Sequence, residues 1–301
     1  MSEVAMRSMR IGFFLALLFL FVASLNPLLG ADHVTILYDA FSDSSKMTKD
    51  WGFSALVEHD GKRILFDSGN NAEIFEHNVK ALGIDLTKLD FVVISHRHAD
   101  HTTGLKYLLS VNPSVPVYAP LESFGIFGGA ASSTLIRPVS SLPDRMRYYD
   151  GKYPDKIPTG YPWNGGNFVL IDKLTEISPG IFVVFTISKT AGTLELRELS
   201  LVLRGANGLS VIVGCSHPGI EEILQAASAI DAHMHFLCGG LHLVSTPDAE
   251  IDRLVDHLKN KWKLEKIAPG HCTGEPAFLR LQKEFGEDYL YAGAGTRLDV
   301  P

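Results

Sequence analysis

Cysteine is scarce in this chain: three residues in 301, an odd number. That count excludes a disulfide framework as the basis of the fold, so an apolar core has to carry it. Basic clusters are missing too. No block rich in Lys and Arg occurs, and the formal net charge is −7, which argues against nucleic acid as a partner. Several catalytic signatures are absent as well: no glycine-rich phosphate loop, no serine nucleophile elbow and no dinucleotide fingerprint. Gly125, Gly128 and Gly129 match none of these and fall in an irregular stretch. Histidine is missing over a long interval, with none between His101 and His217. What remains is ordinary for a folded globular chain, 46% hydrophobic and 20% charged, enough for a sizeable core.

The apolar residues are not evenly spread. Arg7 and Arg10 precede an uncharged run of fifteen, Ile11 to Leu25, which Pro27 ends ahead of the small residues Gly30 and Ala31. A basic start, a short apolar centre and a small-residue end describe a secretory signal over residues 1–31, ahead of one domain at 32–301. The run is shorter than the about 20 residues a helix needs to cross a bilayer. No stable membrane insertion is therefore expected after cleavage, an uncleaved anchor being the alternative, and the expected location is periplasmic or secreted. Cleavage takes away two of the 27 basic and one of the 34 acidic residues, leaving a net charge of −8.

Within 32–301, strands and helices recur in two similar halves. Residues 34–39, 53–58 and 63–66 read as strands, with Asp60-Gly61 as a hairpin turn. Asn70 or Asn71 can cap a helix running to about Leu82, closed by Gly83. An apolar strand at 89–94, a helix at 102–110 and a strand at 115–118 follow. In the second half, strands at 199–203 and 209–213 flank Asn207-Gly208, a strong hairpin signal. Then come a helix at 220–227, a strand at 235–237, a helix with Pro247 at its first position, a strand at 266–268 and a last helix at 276–285. Segment 121–166 breaks the pattern. It interleaves prolines and glycines with Phe124, Phe127, Tyr148, Tyr149, Tyr153, Tyr161 and Trp163. Its aromatic content argues against disorder, and it is expected to be a lid or substrate wall, with a structural insertion as the alternative.

The richest stretch follows the strand at 89–94. Ser95-His96-Arg97-His98-Ala99-Asp100-His101 packs four metal-competent side chains into six positions. A strand ends where its pairing ends, so the next residues can turn their side chains toward one point. His96 and His98, two apart, can share a side, while Asp100 and His101, round the bend, can face a second point. Neutral imidazoles with one carboxylate suit zinc or a similar divalent ion.

The string His-x-His-x-Asp-His after an apolar strand resembles the signature of the metallo-β-lactamase-fold superfamily. Further motifs agree in order: Asp67-Ser68-Gly69, Gly214-Cys215-Ser216-His217, Cys238-Gly239-Gly240-Leu241-His242-Leu243 and Pro269-Gly270-His271-Cys272-Thr273-Gly274. The last three resemble the branch of dihydropterin (aminobenzene ribofuranosyl phosphate) synthase-like metal-dependent hydrolases, and the likeness spans about residues 34–300. It implies an α/β fold, a four-layer αββα sandwich of two packed sheets with helices outside. It also implies metal, with two Zn2+ per chain expected and Mn2+, Fe2+ and Mg2+ left open. In the superfamily a histidine in the middle of the chain, then an Asp or Cys between the metals, then a final histidine complete the ligands. This chain departs from that pattern, since the middle histidine is absent or replaced by His217. His217 is accordingly assigned to the first metal with His96 and His98, and His271 to the second with Asp100 and His101. Cys215 stands where the bridging residue would come; without a bridge the second site would be the weaker.

Asp67 has two readings, a turn former before Gly69 and a partner for the outer N–H of a metal-bound imidazole. His242, in a loop after a strand, is assigned to substrate binding or to proton donation to a leaving group, and Asp100 to orienting the attacking water. His33, His59, His77, His233, His235 and His257 lack such a setting and read as surface or packed residues. Cys238 reads as a core residue, and a Cys215–Cys272 bridge stays open. The resemblance thus implies an enzyme: an exported metal-dependent hydrolase of a small-molecule ester, lactone, amide or phosphoester. Two alternatives accompany it. One is a synthase or transferase on a pterin or phosphoribosyl-type substrate, which export counts against; the other is a metal- or ligand-binding protein without catalysis. The sequence carries no signal for the oligomeric state.

Overall fold

The computed structural model describes residues 32–133, 136–158, 162–190, 192–193 and 195–299. The signal reading for residues 1–31 lies outside them. Among the described residues, no helix is long and apolar enough to cross a membrane.

The chain opens with an antiparallel meander, β1 (His33–Tyr38), β2 (Ser54–His59) and β3 (Lys62–Phe66). Asp60 and Gly61 turn β2 into β3 with positive φ at both, the backbone a two-residue hairpin demands. α1 (Ala72–Ala81) starts at Asn71, whose side chain accepts the N–H groups of Glu73 and Ile74. β4 (Phe91–Val93) then pairs parallel to β3. Where one helix was expected at 102–110 there are two, α2 (Ala99–Thr102) and α3 (Leu105–Val111), meeting at Gly104. A Cβ on Gly104 would lie 2.0 Å from the Ser68 carbonyl oxygen, so that junction requires glycine.

β5 (Pro116–Pro120) extends the parallel part of the sheet. Segment 121–166 is not structureless: β6 (Ala130–Ser132) and β7 (Lys156–Pro158) pair as a small separate sheet. β8 (Asn167–Ile171) completes one edge of the first sheet. The second sheet begins antiparallel with β9 (Thr175–Ser178), β10 (Ile181–Ile187), β11 (Arg197–Gly205) and β12 (Gly208–Val213). It continues parallel: α4 (Ile220–Ala227), β13 (Met234–Gly240), α5 (Asp248–Asp256), β14 (Lys266–Gly270) and α6 (Glu275–Phe285). Pro247 precedes α5 rather than opening it. β15 (Arg297–Asp299) returns to pair with β1, so the chain end locks onto the first sheet. The strand orders are β15-β1-β2-β3-β4-β5-β8 and β14-β13-β12-β11-β10-β9.

Three apolar clusters make four layers. Val34, Val57 and Ile64 meet Val183, Leu201, Ile212 and Phe236 between the sheets, and Cys238 is packed among them. Leu65, Val92 and Ile94 pack under Phe75, Val79, Leu105 and Leu108 of α1 and α3. Val211, Leu237 and Ile267 pack under Ile223, Leu254 and Leu281 of α4, α5 and α6. Each such side chain, fully buried, stabilises the fold by about 1.5–3 kcal/mol. The αββα sandwich is therefore the fold. Every motif named above leaves the carboxyl end of β3, β4, β12, β13 or β14, the edge where open α/β sheets place their sites.

Candidate metal centre

The loop after β4 and the short α2 that follows carry His96, His98, Asp100 and His101; the segments after β12, β13 and β14 carry Cys215 and His217, His242, and His271. They converge into two clusters. In the first, ring centroids lie 4.6 Å apart for His96 and His98, and 4.8 Å from each of these to His217. In the second, Asp100 Oδ2 lies 3.4 Å from His271 Nε2 and 3.7 Å from His101 Nε2. The clusters abut where His96 and His101 stand 4.3 Å apart. Cys215 joins both: its Sγ is 3.2 Å from His101 Nε2 and within 4.8 Å of ligand atoms of His96 and His217 as well as His101 and His271.

Electrostatics separate the clusters. Burial holds His96 well below its ordinary value and puts His98 at about 4 and His217 at about 2, so all three are neutral imidazoles with a lone pair to give. Burial also pulls His101 down, but the charge and hydrogen bond of Asp67 outweigh it and push the ring up to about 9. Burial works to raise Asp100; the hydrogen bond from His271 and the charges of His101 and His271 hold it below the usual carboxylate range instead.

These residues fit divalent cations. His217 is buried with no hydrogen-bond partner for either ring nitrogen, and buried His271 has none for Nδ1, its Nε2 standing 3.4 Å from Asp100 Oδ2. Leaving such a group unpaired costs about 1–3 kcal/mol. His96 Nε2 and His98 Nδ1 approach to 3.1 Å, close to the roughly 3.3 Å edge of a tetrahedron with arms of about 2.0–2.1 Å, the zinc–imidazole length.

Buried carboxylates hold the loops. Asp67 Oδ1 accepts the Ser95 N–H at 2.7 Å, and its Oδ2 accepts the Ser95 hydroxyl at 2.7 Å and His101 Nδ1–H at 2.6 Å. Ser95 Oγ is in turn 2.8 Å from His96 Nδ1, so Asp67 steers a ring in each cluster. Its φ of 57° makes it a turn residue too. Glu198 accepts the backbone N–H groups of Cys215, Ser216 and His217 at 3.2, 2.7 and 2.9 Å. Asp39 accepts the His271 N–H at 2.9 Å. Burial raises Glu198 to about 7 and Asp39 to about 8 against those donors.

The backbone at this edge is also special. Asp67, Ser216, His242 and His271 all have positive φ, at a cost of about 1–2 kcal/mol each. A Cβ on Gly214 would sit 2.2 Å from Ser95 Oγ, so only glycine lets the Cys215 loop approach the His96 loop.

His242 stands beside the first cluster, its ring centroid 4.2 Å from that of His217. All three cysteines are free, and Cys272 Sγ is 3.7 Å from the Cys215 carbonyl oxygen. The remaining histidines are partnered elsewhere: His33 with Glu58, His59 with Asp32, His233 and His235 with Glu265, His257 with Glu221, and His77 with the Lys46 carbonyl.

Two hollows flank the centre, one beside His271 and one beside His217 and His242. Among the described residues, none from 121–166 lines either one. Phe127 of that segment packs edge-on against Trp163 and Phe168 over the outer face of the first sheet. An aromatic wall beside His271 is made by Phe41, Trp51, Phe278, Tyr289 and Tyr291. Sequence reasoning also missed Asp39, Ser95 and Glu198. Glu198 had a readable signal, a lone acid in the apolar run of β11, and Asp39 ends β1 as Asp67 ends β3.

Comparison with known proteins agrees with the geometry. Residues 47–192 match the metallo-beta-lactamase superfamily. The chain is 30% identical to 7,8-dihydropterin-6-methyl-4-(beta-D-ribofuranosyl)-aminobenzene-5'-phosphate synthase of Methanocaldococcus jannaschii, over 86% of this chain and 94% of that one. Among solved structures, it is similar to a metal-dependent hydrolase of the beta-lactamase superfamily, with TM-score 0.65 and 26% identity over 89% of this chain and 99% of the other. A diphosphatase of the PhnP family, at 15% identity and TM-score 0.52 over 90% of this chain and 98% of that one, shares the fold.

Proposed function

Because this chain belongs to the metallo-beta-lactamase superfamily, we propose that it is a metal-dependent hydrolase holding two divalent ions, zinc foremost. His96, His98 and His217 would hold one ion, Asp100, His101 and His271 the other, with Cys215 between them. The observation that carries this reading is the single Cys215 sulfur within ligand reach of both clusters. Such ions, when bound, supply Lewis acidity and a water activated near neutral pH, suited to carbonyl and phosphoryl centres.

The chain's own groups do the rest. Asp67 fixes His101 by its Nδ1–H and, through Ser95, engages Nδ1 of His96, leaving both Nε2 atoms directed at the centre. Asp100, partly exposed at the rim and held ionised, orients the attacking water. His242 stands where it can protonate a leaving group, and a hydrogen bond with Cys272 strengthens its hold on that proton. The substrate is a small molecule bearing an ester, lactone, amide or phosphoester, since the net charge of −7 offers nothing to a polyanion. Export through the signal at 1–31 belongs to the same reading.

A second reading, a synthase or transferase on a pterin or phosphoribosyl-type substrate, is favoured by the name of the Methanocaldococcus relative. One experiment separates them: elemental analysis of protein grown metal-replete, followed by a panel of esters, lactones, β-lactams and phosphoesters beside paired pterin and phosphoribosyl substrates. The expected result is up to two ions per chain and chelator-sensitive hydrolysis. New bond formation between paired substrates, without hydrolysis, moves the assignment to the synthase; trace metal alone overturns both.

A further inference from the structure

Beside the second cluster lies a cavity of about 610 Å³, within the range of small-molecule sites. Its walls are rings drawn from four places in the chain: Phe41 after β1, Trp51 before β2, Phe278 on α6, and Tyr289 and Tyr291 before β15. Phe41 sits edge-on to both Phe278 and Tyr291, with centroids 5.5 and 5.8 Å apart. Trp51 lies against the His271 ring at 4.9 Å, so a ligand of the centre is itself a wall of the cavity. Trp51 is 45% and Tyr291 41% exposed, large rings left open to solvent rather than folded into the core. Among the described lining residues Glu275 is the one carboxylate, and no Lys or Arg is present there.

This chemistry selects a class of occupant. A wall of edge-to-face rings gains most from a flat π-system, which offers faces to edges and edges to faces; a saturated group of equal size gains only its burial. With no cation in the lining, an anionic end has no partner here. We infer that this cavity is a substrate subsite that takes an uncharged planar aromatic or heteroaromatic ring and presents the group attached to it at Asp100 and His271. The inference rests on the hydrolase reading for what happens to that group, and on the cavity alone for what binds.

The test uses the metal-loaded protein and a matched pair of probes, 2-naphthol and decahydro-2-naphthol, which share a skeleton and differ in planarity. Titration calorimetry should show 2-naphthol binding at least about tenfold more tightly. Trp51→Ala and Phe278→Ala should each weaken it several-fold while Trp51→Phe retains it, and the half-exposed position of Trp51 spares the fold. Repeating the titration after chelation separates this inference from the reading of the centre: the preference should persist without metal. A chain that prefers the planar probe yet hydrolyses nothing keeps the subsite and loses the reaction. Equal affinity for the two probes, or naphthol binding indifferent to both alanine variants, overturns the subsite.

Discussion

The two halves of the molecule deliver their groups to the centre in opposite ways. The first half places His96, His98, Asp100 and His101 in one stretch, the loop after β4 and the start of α2, and controls two of them through their rings: Asp67 holds His101 directly and reaches His96 through Ser95. The second half brings Cys215, His217 and His271 from the ends of two separate strands and controls only their backbone. Glu198 accepts three N–H groups of the Cys215–His217 loop, and Asp39, reaching across from the first half, accepts that of His271. Both ring nitrogens of His217 and Nδ1 of His271 are left without a hydrogen-bond partner. One half therefore presents pre-aimed imidazoles, and the other presents a fixed loop whose rings would take their last constraint from bound ions.

The strongest test of that contrast removes one late ligand at a time. His217→Ala should lose the ion of the first cluster and keep the second, and His271→Ala the reverse. Each should reduce activity by more than the about 10–100-fold typical of a lost outer partner. Metal content by elemental analysis checks the pairing. If either variant lost both ions, the halves would form one cooperative cluster through Cys215, and the division between them would be wrong.

A smaller effect separates the supports. Asp67→Asn breaks a buried pair with His101 and disturbs a ring in each cluster, so it should destabilise the chain by about 3–5 kcal/mol and weaken both ions. Glu198→Gln keeps shape and one acceptor but sets an amide against backbone donors, a loss of about 1–3 kcal/mol confined to the Cys215–His217 loop and the first ion. Urea denaturation with metal titration distinguishes them. Equal losses at both ions in the two variants would erase the difference between steering rings and steering backbone.

The same contrast explains what the sequence disclosed. A contiguous motif after an apolar strand is legible because neighbours in sequence are neighbours in space, and the loop from His96 to His101 could be split into two facing pairs from spacing alone. His217 and His271 were reachable only through the resemblance, as histidines after strands in the order that the superfamily's ligands take. The aromatic cavity was not, since Phe41, Trp51, Phe278, Tyr289 and Tyr291 meet only after β15 returns to β1 and α6 docks on the second sheet. Their tertiary proximity has no period. Composition drew attention to 121–166 instead, where Phe127 and Trp163 pack on the first sheet while Phe124, Tyr148 and Tyr149 stay exposed.

The last and smallest effect concerns the root of that segment, a feature the second half lacks. Glu122 accepts a hydrogen bond from Arg97, between His96 and His98, at 3.0 Å, and its side chain is 1% exposed. Burial raises the carboxyl to about 7, outweighing the charges of Arg97 and Arg197. The folded chain therefore holds a proton on Glu122 that the unfolded chain, with an ordinary value near 4.5, has released. Protons bound in excess by the folded state make stability fall as pH rises, so this contribution is fully present below about 4.5 and lost as pH passes about 7. Within that window a single group contributes at most about 1.4 kcal/mol per pH unit. Glu122→Gln should remove the slope and leave a constant offset for the weakened Arg97 contact. Urea midpoints of both chains from pH 5 to pH 8, with chelator present so that metal binding leaves the difference untouched, read it directly. Parallel curves would mean that Arg97 keeps Glu122 ionised throughout, and that the segment is fastened to the metal loop by an ion pair rather than by a protonated acid.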